Sequence, residues 1–194
     1  MNQNKQFIPE VGGKRGVLWR TKIYLIGGIE SAKDNGVGWR KYVKDELQDT
    51  GIIFLDPTDK PFVKDMSEIG EEANKALKLR EEGKYDELET MMREIRRFDL
   101  SCCDRSDAVI FYYDKSVHSI GSVEEIAVSN SMKRAIFLVS KTGVKDIPLW
   151  FFGMFSNKYM YSSLDSCINT IRKINDGEIV IDNDRWRLLR PEFR

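Results

Sequence analysis

Asp107-Ala-Val-Ile-Phe-Tyr-Tyr113, followed directly by Asp114-Lys-Ser-Val-His-Ser-Ile-Gly-Ser-Val-Glu-Glu125, is the stretch that decides the fold. The first part is apolar without alternation, the mark of a strand buried on both faces. The second is a Ser- and Gly-containing loop that opens a helix over Ser122–Met132, with Ser122 near its start as a cap. Strand, loop and helix are half of a βαβ unit, and the pattern recurs on both sides. Toward the N-terminus, Lys22-Ile-Tyr-Leu-Ile-Gly27 reads as a strand ending in a Gly27-Gly28 turn. Trp39, Tyr42, Val43 and Leu47 have helical spacing, and Gly51 closes that helix. Ile52–Asp56 is a second strand, stopped by Pro57. Residues 66–100 predict two helices split at Gly83, the second running through Leu88, Met91, Met92, Ile95 and Phe98. Toward the C-terminus, Ala135–Val139 is a fourth strand and Tyr159–Tyr161 a short fifth. A helix capped by Ser163 or Asp165 runs through Ile174. Glu178–Ile181 and Arg185–Leu189, joined across Asn183-Asp184, predict a β-hairpin.

Strands alternating with helices imply an α/β fold with a parallel sheet covered on both faces. Such sheets bind ligands outside the carboxyl ends of their strands. The rule selects residues 27–34, 56–59, 114–125 and 140–157. Residues 1–20 are expected to form a flexible arm, 21–175 the domain and 176–194 the hairpin and tail.

Composition narrows the function. The chain has 194 residues with 31 basic and 31 acidic side chains, so no charge surplus points to a nucleic acid polymer or an anionic membrane as partner. No apolar run approaches the roughly 20 residues of a membrane span, and no signal peptide is visible. Cys102, Cys103 and Cys167 make a poor disulfide framework, which favours the cytoplasm. With His118 the only histidine and no Cys-x-x-Cys pair, no metal site is expected. His118 lies in a loop, where it is a minor candidate for substrate contact.

Glu124 and Glu125 are the chemistry-bearing residues of the deciding stretch. Placed in a first helical turn, a carboxylate is favoured by the helix dipole and kept ionised, as a nucleophile at an anomeric carbon must be. The other reading of Ser122 and Glu125 is an ordinary capping box. Gly121 permits close backbone approach, and Ser119 and Ser122 with free amides can hold an anion or sugar hydroxyls. Asp99 is expected to close a helix. A carboxylate there is disfavoured by the dipole and holds its proton more readily, which suits a proton donor. Taken alone, Asp99 reads first as an ordinary helix-end acid. Trp150-Phe-Phe152 fits base stacking, core or a subunit contact.

Together these segments resemble the nucleoside 2-deoxyribosyltransferase superfamily over residues 22–163. The matching motifs are Ile23-Tyr-Leu-Ile-Gly-Gly28, Asp99-Leu100 with Asp107 eight residues on, and Gly121-Ser-Val-Glu-Glu-Ile126. The resemblance implies a Rossmann-like or flavodoxin-like three-layer fold with about five parallel strands. It implies Glu125 as nucleophile and Asp99 as partner acid. It implies Tyr24, Gly27, Gly28, Ser119, Gly121, Ser122 and Asn157 at the substrate, a nucleoside or nucleotide. No cofactor is implied, and a homo-oligomer is. Six residues before the nucleophile, free-nucleoside transferases tend to carry Asp, whereas the branch hydrolysing 2-deoxynucleoside 5-monophosphates carries Ser. Ser119 stands there. Where that branch offers an Arg in the first loop this chain has Glu30, leaving Lys33 or Arg40 as substitutes. The expected activity is cleavage of an N-glycosidic bond, by transfer or hydrolysis; the alternative is a nucleotide-binding or sensing module without turnover.

Overall fold

The computed structural model describes residues 15–30, 32–60, 69–179 and 185–186. Five strands, β1 (Lys22–Gly27), β2 (Ile53–Leu55), β3 (Ala108–Tyr113), β4 (Ala135–Ser140) and β5 (Met160–Tyr161), form one sheet in the order β2-β1-β3-β4-β5. Every neighbouring pair is parallel. Each connection therefore crosses over the sheet, and helices do the crossing. They are α1 (Val37–Glu46), α2 (Glu71–Glu81), α3 (Tyr85–Arg105), α4 (Ile120–Ser131), α5 (Leu149–Met154) and α6 (Leu164–Asn175).

Alternation along the strands divides the core in two. Ile23, Leu25, Ile110, Phe137 and Val139 point to one face, where α1 brings Val43 and α6 brings Ile168, Ile171 and Ile174. Tyr24, Ile26, Val109, Phe111 and Leu138 point to the other, beneath Cys102 and Cys103 of α3, Ile126 of α4 and Phe151 of α5. All six positions of β4 are buried, which explains its unbroken apolar sequence. The parallel five-stranded α/β sheet agrees with the sequence reading.

Three boundaries differ from that reading. α3 runs on to Arg105 because Cys102 and Cys103 pack under the sheet, so Asp99 lies inside the helix rather than at its end. α4 begins at Ile120 with Ser119 as its cap, one turn earlier than a Ser122 cap would give. The aromatic cluster Trp150-Phe-Phe152, given no element by the sequence, lies in the short helix α5. The expected hairpin over 176–194 falls mostly outside the described residues, and Glu178, Ile179, Arg185 and Trp186 do not lie in strands. Trp186 packs its ring 5.3 Å from that of Phe137. Residues 1–14 of the expected arm are outside the described residues, while Leu18 joins the core fully buried.

Arg40 anchors the first connection. Its side chain is fully buried. It donates to the carbonyls of Leu25 at 3.1 Å, Gly36 at 2.9 Å and Gly27 at 2.8 Å. Asp56, at the end of β2, lies 3.7 Å from it and pairs with Lys44 at 2.7 Å. One cation thus ties the turn after β1 to the end of β2. Arg40→Met should lower unfolding free energy in urea by about 3–5 kcal/mol, the usual scale for removing one partner of a buried ion pair.

Candidate active site

In the order β2-β1-β3-β4-β5 the chain leaves β1 and β3 in opposite directions, so the crevice for a ligand lies between their carboxyl ends. Gly27 and Gly28 end β1 at this point. A Cβ on Gly27 would lie 3.0 Å from the Trp39 ring and 3.1 Å from the Tyr112 carbonyl; one on Gly28 would lie 2.4 Å from Val117. A side chain at Gly27 would crowd α1 and β3, and one at Gly28 would displace Val117 of the loop before α4. Ser119 is 3.7 Å from that same Gly28 position, so the first loop lies against the loop that opens α4.

Glu125 is the sixth residue of α4, in the second turn, and only 9% exposed. The dipole argument for a first-turn carboxylate therefore does not apply, because that effect fades within one turn. The capping box of Ser122 and Glu125 does not form either: Ser119 is the cap, accepting from the Ser122 amide at 3.3 Å. Ser119 also donates to the Ser122 hydroxyl at 2.6 Å. What Glu125 has instead is Tyr24, whose hydroxyl donates to Glu125 Oε1. Tyr24 is fully buried on β1. Burial raises its phenol well above the ordinary value, and the nearby Glu125 and Asp99 charges raise it further. Tyr24 thus remains a protonated donor at any ordinary pH.

Glu124 turns the opposite way. It pairs with Arg96 of α3, whose hydrogen bond holds the Glu124 carboxyl below its usual value. Of the two adjacent glutamates, Glu125 alone is buried.

Asp99, 7% exposed, faces the same region from α3. Its position inside the helix removes the helix-end reason for a retained proton. Lys60 from the loop after β2 places its ammonium 2.9 Å from Asp99 Oδ1. Burial and then Asp99 push the Cys102 thiol up to about 11, and Lys60 and Glu125 act on it as well. Tyr24, Asp99, Cys102, Glu125 and Lys60 are therefore one electrostatic cluster. Cys103 is pushed by burial up to about 12, so neither thiol is a nucleophile.

The remaining candidates separate. Gly121 faces open space at the first turn of α4. His118 is exposed in the preceding loop. Asp114 closes β3; against the desolvation that opposes it, hydrogen bonds from Lys141 and Ser116 bring its carboxyl down to about 2. Asn157 is exposed on a single 3-10 turn before β5. Register sets Met160 opposite Leu138, so Asn157 lies toward the amino side of that pair and apart from the cluster within one chain. Arg40 is spent on backbone carbonyls and is no substitute cation for a substrate phosphate. Lys33 is exposed, and Glu30 pairs with Arg80 at 3.6 Å. Among the described residues no group of three or more His, Cys, Asp or Glu could hold a metal ion, and no helix is long and apolar enough to cross a membrane.

Solved structures share this arrangement of strands and helices. A 2-deoxyribosyltransferase from Bacillus psychrosaccharolyticus superposes with a TM-score of 0.54 at 16% identity, covering 77% of this chain and 91% of its own. A 2-deoxyribosyltransferase from Leishmania mexicana gives 0.51 at 13% identity, covering 78% and 96%. The chain has the 2-deoxyribosyltransferase fold. No protein-family model and no curated protein sequence matches it. Within the deoxyribosyltransferase fold, sequence reasoning missed Lys60 and the Arg96–Glu124 pair. Only the Arg96 pair had a sequence signal, a basic residue on the exposed face of a predicted helix.

Tyr24→Phe keeps the ring and deletes the donor to Glu125. A hydrogen bond to a charged group contributes about 1.5–3 kcal/mol. Turnover of the protein's substrate should therefore fall about 10- to 100-fold, as steady-state kinetics would register, and the melting temperature should fall by several degrees because the buried Glu125 loses its donor.

Proposed function

We propose that this chain cleaves the N-glycosidic bond of a 2-deoxynucleoside or its 5-monophosphate, with Glu125 as nucleophile. The observation that carries the reading is the buried Glu125 carboxylate held by the Tyr24 hydroxyl beside the switch point of the sheet. An acid without a function is seldom buried there, because desolvating a carboxylate is costly. The likeness of fold to two 2-deoxyribosyltransferases supports the same reading.

The mechanism has two steps. A Glu125 oxygen forms a bond to C1′ while the C1′–N bond breaks and its electron pair leaves with the base. The base nitrogen takes up a proton by way of Asp99, directly or through a water. A second base or a water then attacks C1′, its proton passes to Asp99, and the ester electrons return to Glu125. Transfer and hydrolysis share the first step and differ only in the second nucleophile.

The 5-monophosphate is the finer part of the proposal. Ser119 and the first amides of α4 offer donors without a negative charge, and the space above Gly121 is open. Gly27, Gly28 and Ser122 shape the same mouth. Homo-oligomerisation belongs to the proposal too. Ile120, Leu149 and Trp150 are 89%, 88% and 81% exposed at the starts of α4 and α5, an apolar surface suited to a second copy carrying its own Asn157. Three buried cysteines, all free, fit a reducing compartment such as the cytoplasm.

Incubation with each common deoxynucleoside and its monophosphate, with and without an acceptor base, should release free base detectable by chromatography. Glu125→Gln should reduce release at least about a thousandfold, the scale of nucleophile removal, with the fold intact. Binding without release would favour a sensing module. Loss in Glu124→Ala with activity kept in Glu125→Ala would move the nucleophile by one residue. Ser119→Ala should erase preference for monophosphates over nucleosides; an equal loss on both would remove the phosphate argument.

A further inference from the structure

Lys60 is the one buried lysine among the described residues, with its side chain 1% exposed. Its ammonium lies 2.9 Å from Asp99 Oδ1 and 5.0 Å from the centre of the Phe98 ring. The lysine pairs of α2 are of a different kind: Lys78 and Glu82 have side chains 74% and 37% exposed. A buried ammonium is costly to desolvate and persists where an opposite charge and close packing compensate it.

The loop carrying Lys60 is held before it reaches the site. Asp56 Oδ1 accepts from the Thr58 amide at 2.9 Å and the Thr58 hydroxyl at 2.7 Å. Asp56 Oδ2 accepts from Lys44 at 2.7 Å, and Arg40 lies beside it. Lys60 is thus delivered from a fixed turn rather than by a free-swinging chain, which is how supporting residues keep reactive groups in place.

The cluster it enters contains two buried carboxylates, Asp99 on α3 and Glu125 on α4, with Tyr24 on β1 between the charges of both. Two carboxylates sharing a buried site repel, and one tends to give up its charge. A cation beside one of them removes that penalty.

We infer that Lys60 is the positioning residue of the site, fixing the Asp99 carboxyl toward the departing base and balancing the one negative charge that Asp99 and Glu125 hold between them. The inference rests on the glycosidic reading proposed above. As the C1′–N bond breaks, negative charge moves to the base while Glu125 is consumed as an ester. Asp99 passes its proton to the base, so the one negative charge of the pair is on Glu125 before the step and on Asp99 after it, and the Lys60 ammonium balances it in both states. It also makes the loop after β2, an edge strand, a determinant of catalysis.

The test compares base release by the full chain and by Lys60→Met and Lys60→Arg, with thermal unfolding recorded for each. Lys60→Met should lower kcat at least about tenfold with KM within about threefold of the wild-type value, the pattern for a loss felt in the transition state. Lys60→Arg keeps the charge and should restore most of kcat. If Lys60→Met does not fold, Lys60→Gln, which keeps a donor near Asp99 without charge, decides by the same criterion. Wild-type kcat in the uncharged variant, or equal kcat losses in the Met and Arg variants, overturns the role of Lys60 alone. Absence of base release by the wild-type chain from every nucleoside and monophosphate overturns the glycosidic reading and this inference together.

Discussion

The hydroxyl of Tyr24 donating to Glu125 joins the first strand of the sheet to the helix after the third. Everything at the candidate site depends on it. A carboxylate taken out of water needs a partner, and the partner here is itself locked, because Tyr24 is fully buried in the core. The sheet order brings β1 and β3 side by side, so residues 101 positions apart meet at the crevice of the fold. Burial also keeps Tyr24 protonated, since it and the neighbouring acids raise its phenol. Donor and acceptor are therefore matched by the same surroundings.

The supporting structure has one purpose at each level. Apolar strands make the sheet, and alternation sends Tyr24 to the face covered by α3 and α4. Arg40 fastens the turn after β1 to the end of β2. That fastening fixes the loop from which Lys60 reaches Asp99. The opposite face, with α1 and α6, supplies stability and carries no site residue. Glu124, one position from Glu125, shows what the same residue type does when it faces away: it forms an exposed pair with Arg96.

Much of this was legible in the sequence. The strands could be read because their apolar runs lack polar interruption, and β4, buried at all six positions, is the clearest case. Glu125 and Asp99 could be named through the family resemblance, and both are buried in one cluster. What could not be read was the reason for their burial. Ser119 and Ser122 are both good caps, and only the loop's approach to Gly28 makes Ser119 the first. Asp99 looked like a helix end because Ser, Cys and Asp follow it; the helix continues because Cys102 and Cys103 are buried under the sheet. Lys60 is separated from Asp99 by 39 positions, and nothing local distinguishes it from a solvent-facing lysine. The Arg40 network was hidden likewise, since a guanidinium serving three backbone carbonyls leaves no side-chain pattern.

The central claim is that a carboxylate oxygen of Glu125 becomes covalently joined to a sugar. The most direct measurement is mass spectrometry of protein quenched with acid during turnover, followed by peptide mapping. A mass increase of one 2-deoxypentosyl group, or of one phospho-2-deoxypentosyl group, on Glu125 is the expected result. Free base accumulating with no adduct, or with the adduct on Glu124, would contradict the account.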